Sequence, residues 1–196
     1  MTTAEAVVIG GGVIGASTAH ALAKAGLRRT LLVEKSALAA GATGRSSALV
    51  RMHYTNEWDA RLAWKSFEFF KNWDDAVGGE CSFTRTGFLM IVAPEYAEHL
   101  RRNVEMLRGI GVDTTAIGSS DVKALQPQAE IADIGAAAYE PGNGYADPTA
   151  TTRGLARRAQ ELGATIWQGT EVCSVQIERG RVVAVETGRG LIETPR

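Results

Sequence analysis

Four residues near the start of this 196-residue chain carry its strongest chemical signal: Gly10, Gly12, Gly15 and Glu34. The glycines form a GxGxxG turn between an apolar run and a helix-like segment. Gly10 allows the tight turn, Gly12 lacks a Cβ so that a pyrophosphate can approach the backbone, and Gly15 lets the helix pack close to the sheet. Phosphates then sit at a helix N-terminus, where unpaired N–H groups and the helix dipole favour negative charge. Glu34 follows Gly15 by 19 positions, close to the spacing of about 20 for an acid on a ribose hydroxyl. The set reads as a mononucleotide or dinucleotide site; the alternative is a structural βαβ turn with no ligand.

A second group follows. Gly41-Ala42-Thr43-Gly44-Arg45-Ser46-Ser47 offers backbone N–H groups, three hydroxyls and a guanidinium. That chemistry suits a second phosphate or a flavin edge; the alternative is a solvated connector. Arg51, in Ala48-Leu49-Val50-Arg51-Met52-His53-Tyr54, is a cation among apolar neighbours. Buried, it needs an anionic partner; on an edge, it points into water. No paired carboxylates, nucleophile triad or metal-ligand cluster competes for an active site, so no catalytic residue and no metal are assigned. Cys81 and Cys173 lie far apart and form no CxxC pair, and they read as reduced thiols.

The elements that must position these residues follow from pattern. Ala6–Ile9 reads as a strand buried on both faces. Ala16, Ala19, Leu22 and Ala23 make a small-residue helix closed by Gly26, and Thr30–Val33 is the next strand. Positions 6 to 23 lack Asp, Glu, Lys and Arg, which approaches a membrane span in length. The glycines, Ser17, Thr18 and His20 within it, and Glu5 where a targeting signal needs a base, favour strand plus helix with no signal. With the reduced thiols, the expectation is a cytoplasmic protein. An apolar content of 45% and a charged content of 22% are ordinary globular values. A net charge of −1 gives no electrostatic case for nucleic acid or an anionic membrane.

Further along, Asn56–Val77 reads as one helix, capped by Thr55 or Asn56. Leu62, Phe69, Trp73 and Val77 mark its core face, widened by Trp58, Trp64, Phe67 and Phe70. Thr86–Ala93 is a strand stopped by Pro94, and Glu95–Gly109 an amphipathic helix. Ser119 or Ser120 caps a short helix, Gly135–Tyr139 is a strand, and Tyr139–Tyr145 is a turn. Asp147 and Pro148 open a helix to Leu162. Strands at Thr165–Gln168, Val172–Glu178, Arg181–Thr187 and Leu191–Thr194 end the chain, the last three as a β-meander.

A nicotinamide-dependent dehydrogenase would continue strand–helix–strand after Glu34; this chain does not. GGGVIGASTAHALAKAG, GATGRSSALVR, TGFLMIV, YEPGNGYADPTATTRGLARRAQELGATI and GRVVAVETGRGLI together resemble the N-terminal half of the FAD-dependent amine oxidoreductases of the D-amino-acid-oxidase type. Within them, the similarity is to the sarcosine oxidase β-subunit, glycine oxidase and dimethylglycine dehydrogenase group. The resemblance implies an α/β chain, α+β overall: a Rossmann-like FAD-binding domain with a β-meander, and part of an inserted mixed substrate domain. The expected division is 1–79, FAD-binding unit and first long helix; 80–145, substrate domain; 146–196, return to the FAD domain. With three parallel strands and a meander ending near the last residue, the chain reads as truncated, needing a missing C-terminal half or a partner polypeptide.

The resemblance also implies roles. Gly10, Gly12, Val13, Ile14 and Gly15 would hold the FAD pyrophosphate, and Glu34 with Lys35 the adenosine ribose. Thr43, Arg45, Ser46 and Ser47 would lie along the pyrophosphate, ribityl chain and isoalloxazine. The backbone of Val172 would meet the adenine, and Arg51 the substrate carboxylate. Some relatives attach flavin through a histidine where this chain has Ser46-Ser47, so non-covalent FAD is expected. The implied reaction is hydride transfer from the α-carbon of a small amino acid or N-methylglycine to flavin N5. The alternatives are an NAD(P)-dependent dehydrogenase or reductase, and a non-catalytic nucleotide-binding subunit of a larger flavoprotein.

Overall fold

The structure, a computed structural model, describes residues 2–196. In chain order it runs β1 (Thr2–Thr3), β2 (Ala6–Ile9), α1 (Val13–Lys24), β3 (Thr30–Val33), β4 (Leu49–Val50), α2 (Glu57–Lys71) and α3 (Trp73–Ala76). There follow β5 (Thr84–Arg85), β6 (Phe88–Val92), α4 (Ala97–Ile110), β7 (Thr115–Ile117), α5 (Ser119–Leu125), β8 (Ala136–Glu140) and β9 (Gly144–Tyr145). The chain closes with α6 (Pro148–Glu161), β10 (Thr165–Trp167), β11 (Val172–Glu178), β12 (Arg181–Thr187) and β13 (Gly190–Glu193). Two compact units form: unit 1 is 1–48, 73–82 and 147–196, and unit 2 is 49–72 and 83–146.

Unit 1 is built on β3. It is the centre of a parallel sheet ordered β10-β3-β2, and all four of its residues are buried. Alternation along the strand assigns its two faces. Leu32 meets Ala19 and Ala23 of α1 and Ala159 of α6, while Leu31 and Val33 meet Ala4, Ile192 and Val172. The small residues of α1 thus lie against strand and helix, as their spacing predicts. Asp147 caps α6 by accepting from the Ala150 N–H at 2.6 Å. The meander pairs β11, β12 and β13 antiparallel, and β1 adds parallel to β13. Arg179 and Gly180, both at positive φ, make the tight turn that β11 and β12 require.

Unit 2 holds two antiparallel sheets, β6-β8-β7 and β4-β9-β5. The α4 face Ala97, Leu100 and Val104 covers Ala136 and Ala138 of β8. A second cluster joins Met52, Ala60, Phe67, Leu107 and Val112.

Several expectations are corrected. β2 is an edge strand of its sheet rather than buried on both faces, and Ile9 is exposed. The long helix ends at Lys71 and restarts at Trp73. Its packing partners lie in unit 2, not with the glycine turn, because Ala60 and Phe67 face α4 through Leu107. Three-to-four spacing fits two faces of that helix, and α4 selects Ala60, Trp64 and Phe67. Trp58, Leu62 and Phe69 are left exposed. Asn56 is the cap, accepting from Trp58 N–H at 2.8 Å. Gly118 rather than a serine caps α5. Leu49–Val50 forms a short strand, and Gly144–Tyr145, read as turn, is the central strand of its small sheet.

His20 of α1 is 3% exposed and its Nε2 has no partner. Burial first, then the charges of Lys24 and Arg158, hold its imidazole below the ordinary 6.5. A histidine held neutral in the fold lets the unfolded chain bind a proton first, so stability falls as pH drops through 6.5 and levels below the lowered folded value. Denaturant titrations from pH 8 to about pH 5 should show this loss, and His20→Gln should remove that part of the slope.

Candidate functional site

The turn after β2 is organised by one carboxylate. Gly10 takes a φ of +104° and donates its N–H to Val33 O at 2.8 Å, which carries the β2–β3 ladder one step further. Gly11 N–H donates to Glu34 Oε2 at 2.6 Å. The other oxygen of Glu34 accepts from Ser36 N–H at 2.8 Å. Glu34 is itself tied to the sheet: its N–H donates to Trp167 O at 2.8 Å, and its carbonyl accepts from Thr170 N–H at 2.9 Å. The loop that follows folds back on the turn. Ala39 N–H reaches Gly11 O and Gly44 N–H reaches Ala39 O, both at 2.9 Å. Thr43 Oγ1 then accepts from Val13 N–H at 3.1 Å.

Close approach requires one glycine and crowds a second. A Cβ on Gly15 would overlap the carbonyl oxygen of Gly10, and one on Gly12 would stand 3.0 Å from Thr43 Oγ1. Gly12 is the N-cap of α1 and supplies no side-chain bond, and the first turn of α1 has no acidic residue. The Ile14 and Gly15 N–H groups have no intrahelical acceptor at that end. The helix start therefore keeps the Ile14 and Gly15 N–H groups for an anion, with Thr43 already on the Val13 N–H.

Of the residues singled out from sequence, Gly10, Gly12, Val13, Gly15, Glu34 and Thr43 are gathered here. Ile14 is exposed at the helix start, and Lys35, Arg45, Ser46 and Ser47 are exposed along the loop. Ser46 Oγ accepts from Ala48 N–H at 3.0 Å. Val172 opens β11 half-buried against the Leu31–Val33 face.

Arg51 belongs to unit 2. It is half-buried, its Nη1 donates to the His53 carbonyl, and its Cζ stands 4.5 Å from the Tyr54 ring centroid and 5.8 Å from that of Phe88. Among the described residues no carboxylate pairs with it. Beside it lies a polar cluster that sequence reasoning missed. His53 and Glu140 are both buried, with Nδ1 and Oε1 at 2.9 Å. Asn103 Nδ2 stands 3.1 Å from His53 Nε2, and Asn143 Nδ2 donates to the other oxygen of Glu140. Asn143 O accepts from Thr86 and Gly87 N–H at 3.2 and 2.9 Å. His53 and Glu140 are 87 positions apart, so no local pattern could have paired them.

A sequence model of the family described as FAD dependent oxidoreductase, the D-amino-acid-oxidase group, matches residues 5–194. The chain belongs to that family. Sarcosine oxidase subunit beta of Rhodobacter capsulatus is 32% identical, the match covering 96% of this chain and 47% of that protein. The crystal structure of L-proline dehydrogenase from P. horikoshii superposes with a TM-score of 0.91 at 33% identity, over 99% of this chain and 51% of that one. Glycine oxidase from Bacillus cereus gives a TM-score of 0.78 at 26% identity, over 98% of this chain and 53% of that one. The chain thus spans about half the length of these relatives. The mixed α/β architecture and its parallel βαβ sheet agree with that family. Among the described residues no helix is long and apolar enough to cross a membrane.

The residues present fit the phosphates of the family's cofactor. The N-terminus of α1 offers donors with no acidic residue in its own first turn, and glycine at position 12 leaves the backbone bare beside Thr43 Oγ1. Gly15→Ala should force α1 off the Gly10 carbonyl at a cost of about 1–3 kcal/mol, read as a lower denaturant midpoint together with weaker FAD binding. A normal midpoint with normal FAD affinity would contradict the close approach. In unit 2, Glu140→Ala leaves His53 and Asn143 without their acceptor and should cost about 1–3 kcal/mol for each donor left unpaired, in the same measurement.

Proposed function

We propose that this chain forms the cofactor-binding unit and part of the substrate-recognition unit of an FAD-dependent oxidase or dehydrogenase of small amino acids or N-methylated glycines. The observation that carries the reading is the Gly11–Glu34–Thr43 cradle at the start of α1, in a chain similar to proteins named for sarcosine, L-proline and glycine. Gly10, Gly12, Val13, Ile14 and Gly15 hold the pyrophosphate; Glu34 and Lys35 hold the adenosine ribose. Thr43, Arg45, Ser46 and Ser47 line the path of the pyrophosphate, ribityl chain and isoalloxazine, and the Val172 backbone meets the adenine. Bound FAD supplies the hydride acceptor.

The chain's own residues then have binding and orienting work to do. The Arg51 guanidinium, stacked on Tyr54 and without a carboxylate partner among the described residues, is the group for the substrate carboxylate, which its planar fork can grip through both oxygens. Held at that end, the substrate presents its amine-bearing carbon in one orientation, which lowers the entropy lost on reaching the transition state. A partner polypeptide is part of the proposal, since the Rhodobacter capsulatus relative is named as a subunit.

Two measurements test this. In the full-length protein, anaerobic addition of a small amino acid or N-methylglycine should bleach the flavin absorbance, and NADH should not. Arg51→Lys should raise KM or lower kcat/KM by about tenfold or more, as lost bidentate charge-assisted bonds imply, with flavin content unchanged. Unchanged kinetics in that variant, or loss of flavin, would remove Arg51 from substrate recognition.

A further inference from the structure

The segment that carries Arg51 has no regular secondary structure beyond Leu49–Val50, yet its guanidinium stands in a defined place. What holds it can be traced atom by atom. Its Nη1 donates to the His53 carbonyl, so the position of the fork follows the backbone of His53. That backbone is anchored by a buried ring whose two nitrogens are engaged from two different elements: Glu140 at the end of β8 and Asn103 on α4. With the Asn103 amide nitrogen facing Nε2, that ring nitrogen is the acceptor and Nδ1 carries the proton, donating it towards Glu140. The second oxygen of Glu140 takes the Asn143 amide. Asn143 in turn fixes Thr86 and Gly87, the residues leading into Phe88, whose ring flanks the Arg51 guanidinium. The chain of contacts closes on itself.

The electrostatics point the same way. Glu140, the buried carboxylate of this network, accepts from a ring N–H and an amide N–H rather than from the guanidinium. The charge of Arg51 is therefore left for an anion from outside. Buried polar groups are costly unless they are hydrogen-bonded; here both oxygens of Glu140 and both ring nitrogens of His53 have partners, and the network they form anchors Arg51.

We propose that His53, Glu140, Asn103 and Asn143 form a buried brace that sets the Arg51 guanidinium for a substrate carboxylate. They are positioning residues, and the inference rests on the reading of Arg51 as the carboxylate group's partner. The brace makes recognition of a carboxylate-bearing amine depend on residues that never touch it.

The test uses the full-length, flavin-loaded protein with Glu140→Gln, Asn103→Leu and two His53 variants. His53→Asn keeps a donor towards Glu140; His53→Leu keeps none. Each is measured with an amino-acid substrate and with the corresponding amine lacking the carboxylate, and the Kd of acetate is determined by calorimetry. Glu140→Gln and His53→Leu should raise KM for the amino acid and the acetate Kd by about tenfold, the scale of a misplaced charge-assisted bond. The kcat and the kinetics of the carboxylate-free amine should stay within about twofold. His53→Asn should recover most of the loss. Asn103 is only half-buried, so its variant gives the same comparison if the core variants do not fold. Equal losses for both substrates, or an unchanged acetate Kd in every variant that folds, would overturn the brace. If Arg51→Lys itself leaves acetate binding and KM unchanged, the reading of Arg51 fails instead.

Discussion

One hydrogen bond, Gly11 N–H to Glu34 Oε2 at 2.6 Å, ties the glycine turn of unit 1 to its sheet. A bond to an ionised acceptor is shorter and stronger than a neutral one, and this one links two elements that sequence keeps 23 positions apart. Glu34 cannot drift, because its backbone bonds on both sides to the strand and loop around Trp167 and Thr170. The glycine turn is therefore referenced to the sheet through an acid. From Gly11 the order passes through Ala39 and Gly44 to Thr43, which meets the first N–H of α1. Strand end, turn, loop and helix start share one frame. Such a frame presents N–H groups without reorganisation when an anion arrives.

Unit 2 solves a similar problem with burial. Its sheet β6-β8-β7 packs on α4 through alanines and short aliphatic residues, leaving room for polar groups at the end of β8. A carboxylate and an imidazole excluded from water are tolerable only with their hydrogen-bonding capacity met. His53, Glu140, Asn103 and Asn143 meet most of it among themselves. The same interior order holds an irregular segment whose cation stays accessible. Stable scaffold and accessible charge are thus parts of one arrangement.

Much of this was legible beforehand because it is local. The glycine spacing and the Asp147-Pro148 helix start each act within a few residues, and β11, β12 and α6 lie within a residue or two of their expected ends. The long helix was harder. Its aromatic residues satisfy helical spacing on more than one face, and only packing against α4 decides that Phe67 is buried while Trp58 and Leu62 are not. Two-residue strands such as β4, β5 and β9 carry too little pattern to be seen. The Tyr139–Tyr145 stretch read as a turn because Pro141, Gly142 and Asn143 are turn formers. In the fold, Glu140 and Asn143 are buried polar residues that bond each other and reach distant partners, His53 for Glu140 and Thr86 and Gly87 for Asn143.

The central claim is that the Glu34-anchored turn is a flavin dinucleotide site. Purifying the full-length protein, recording its visible spectrum and identifying what denaturation releases tests it most directly. The account predicts a flavin spectrum and close to one FAD released per chain without proteolysis. A colourless protein that takes up NAD and not FAD would contradict it.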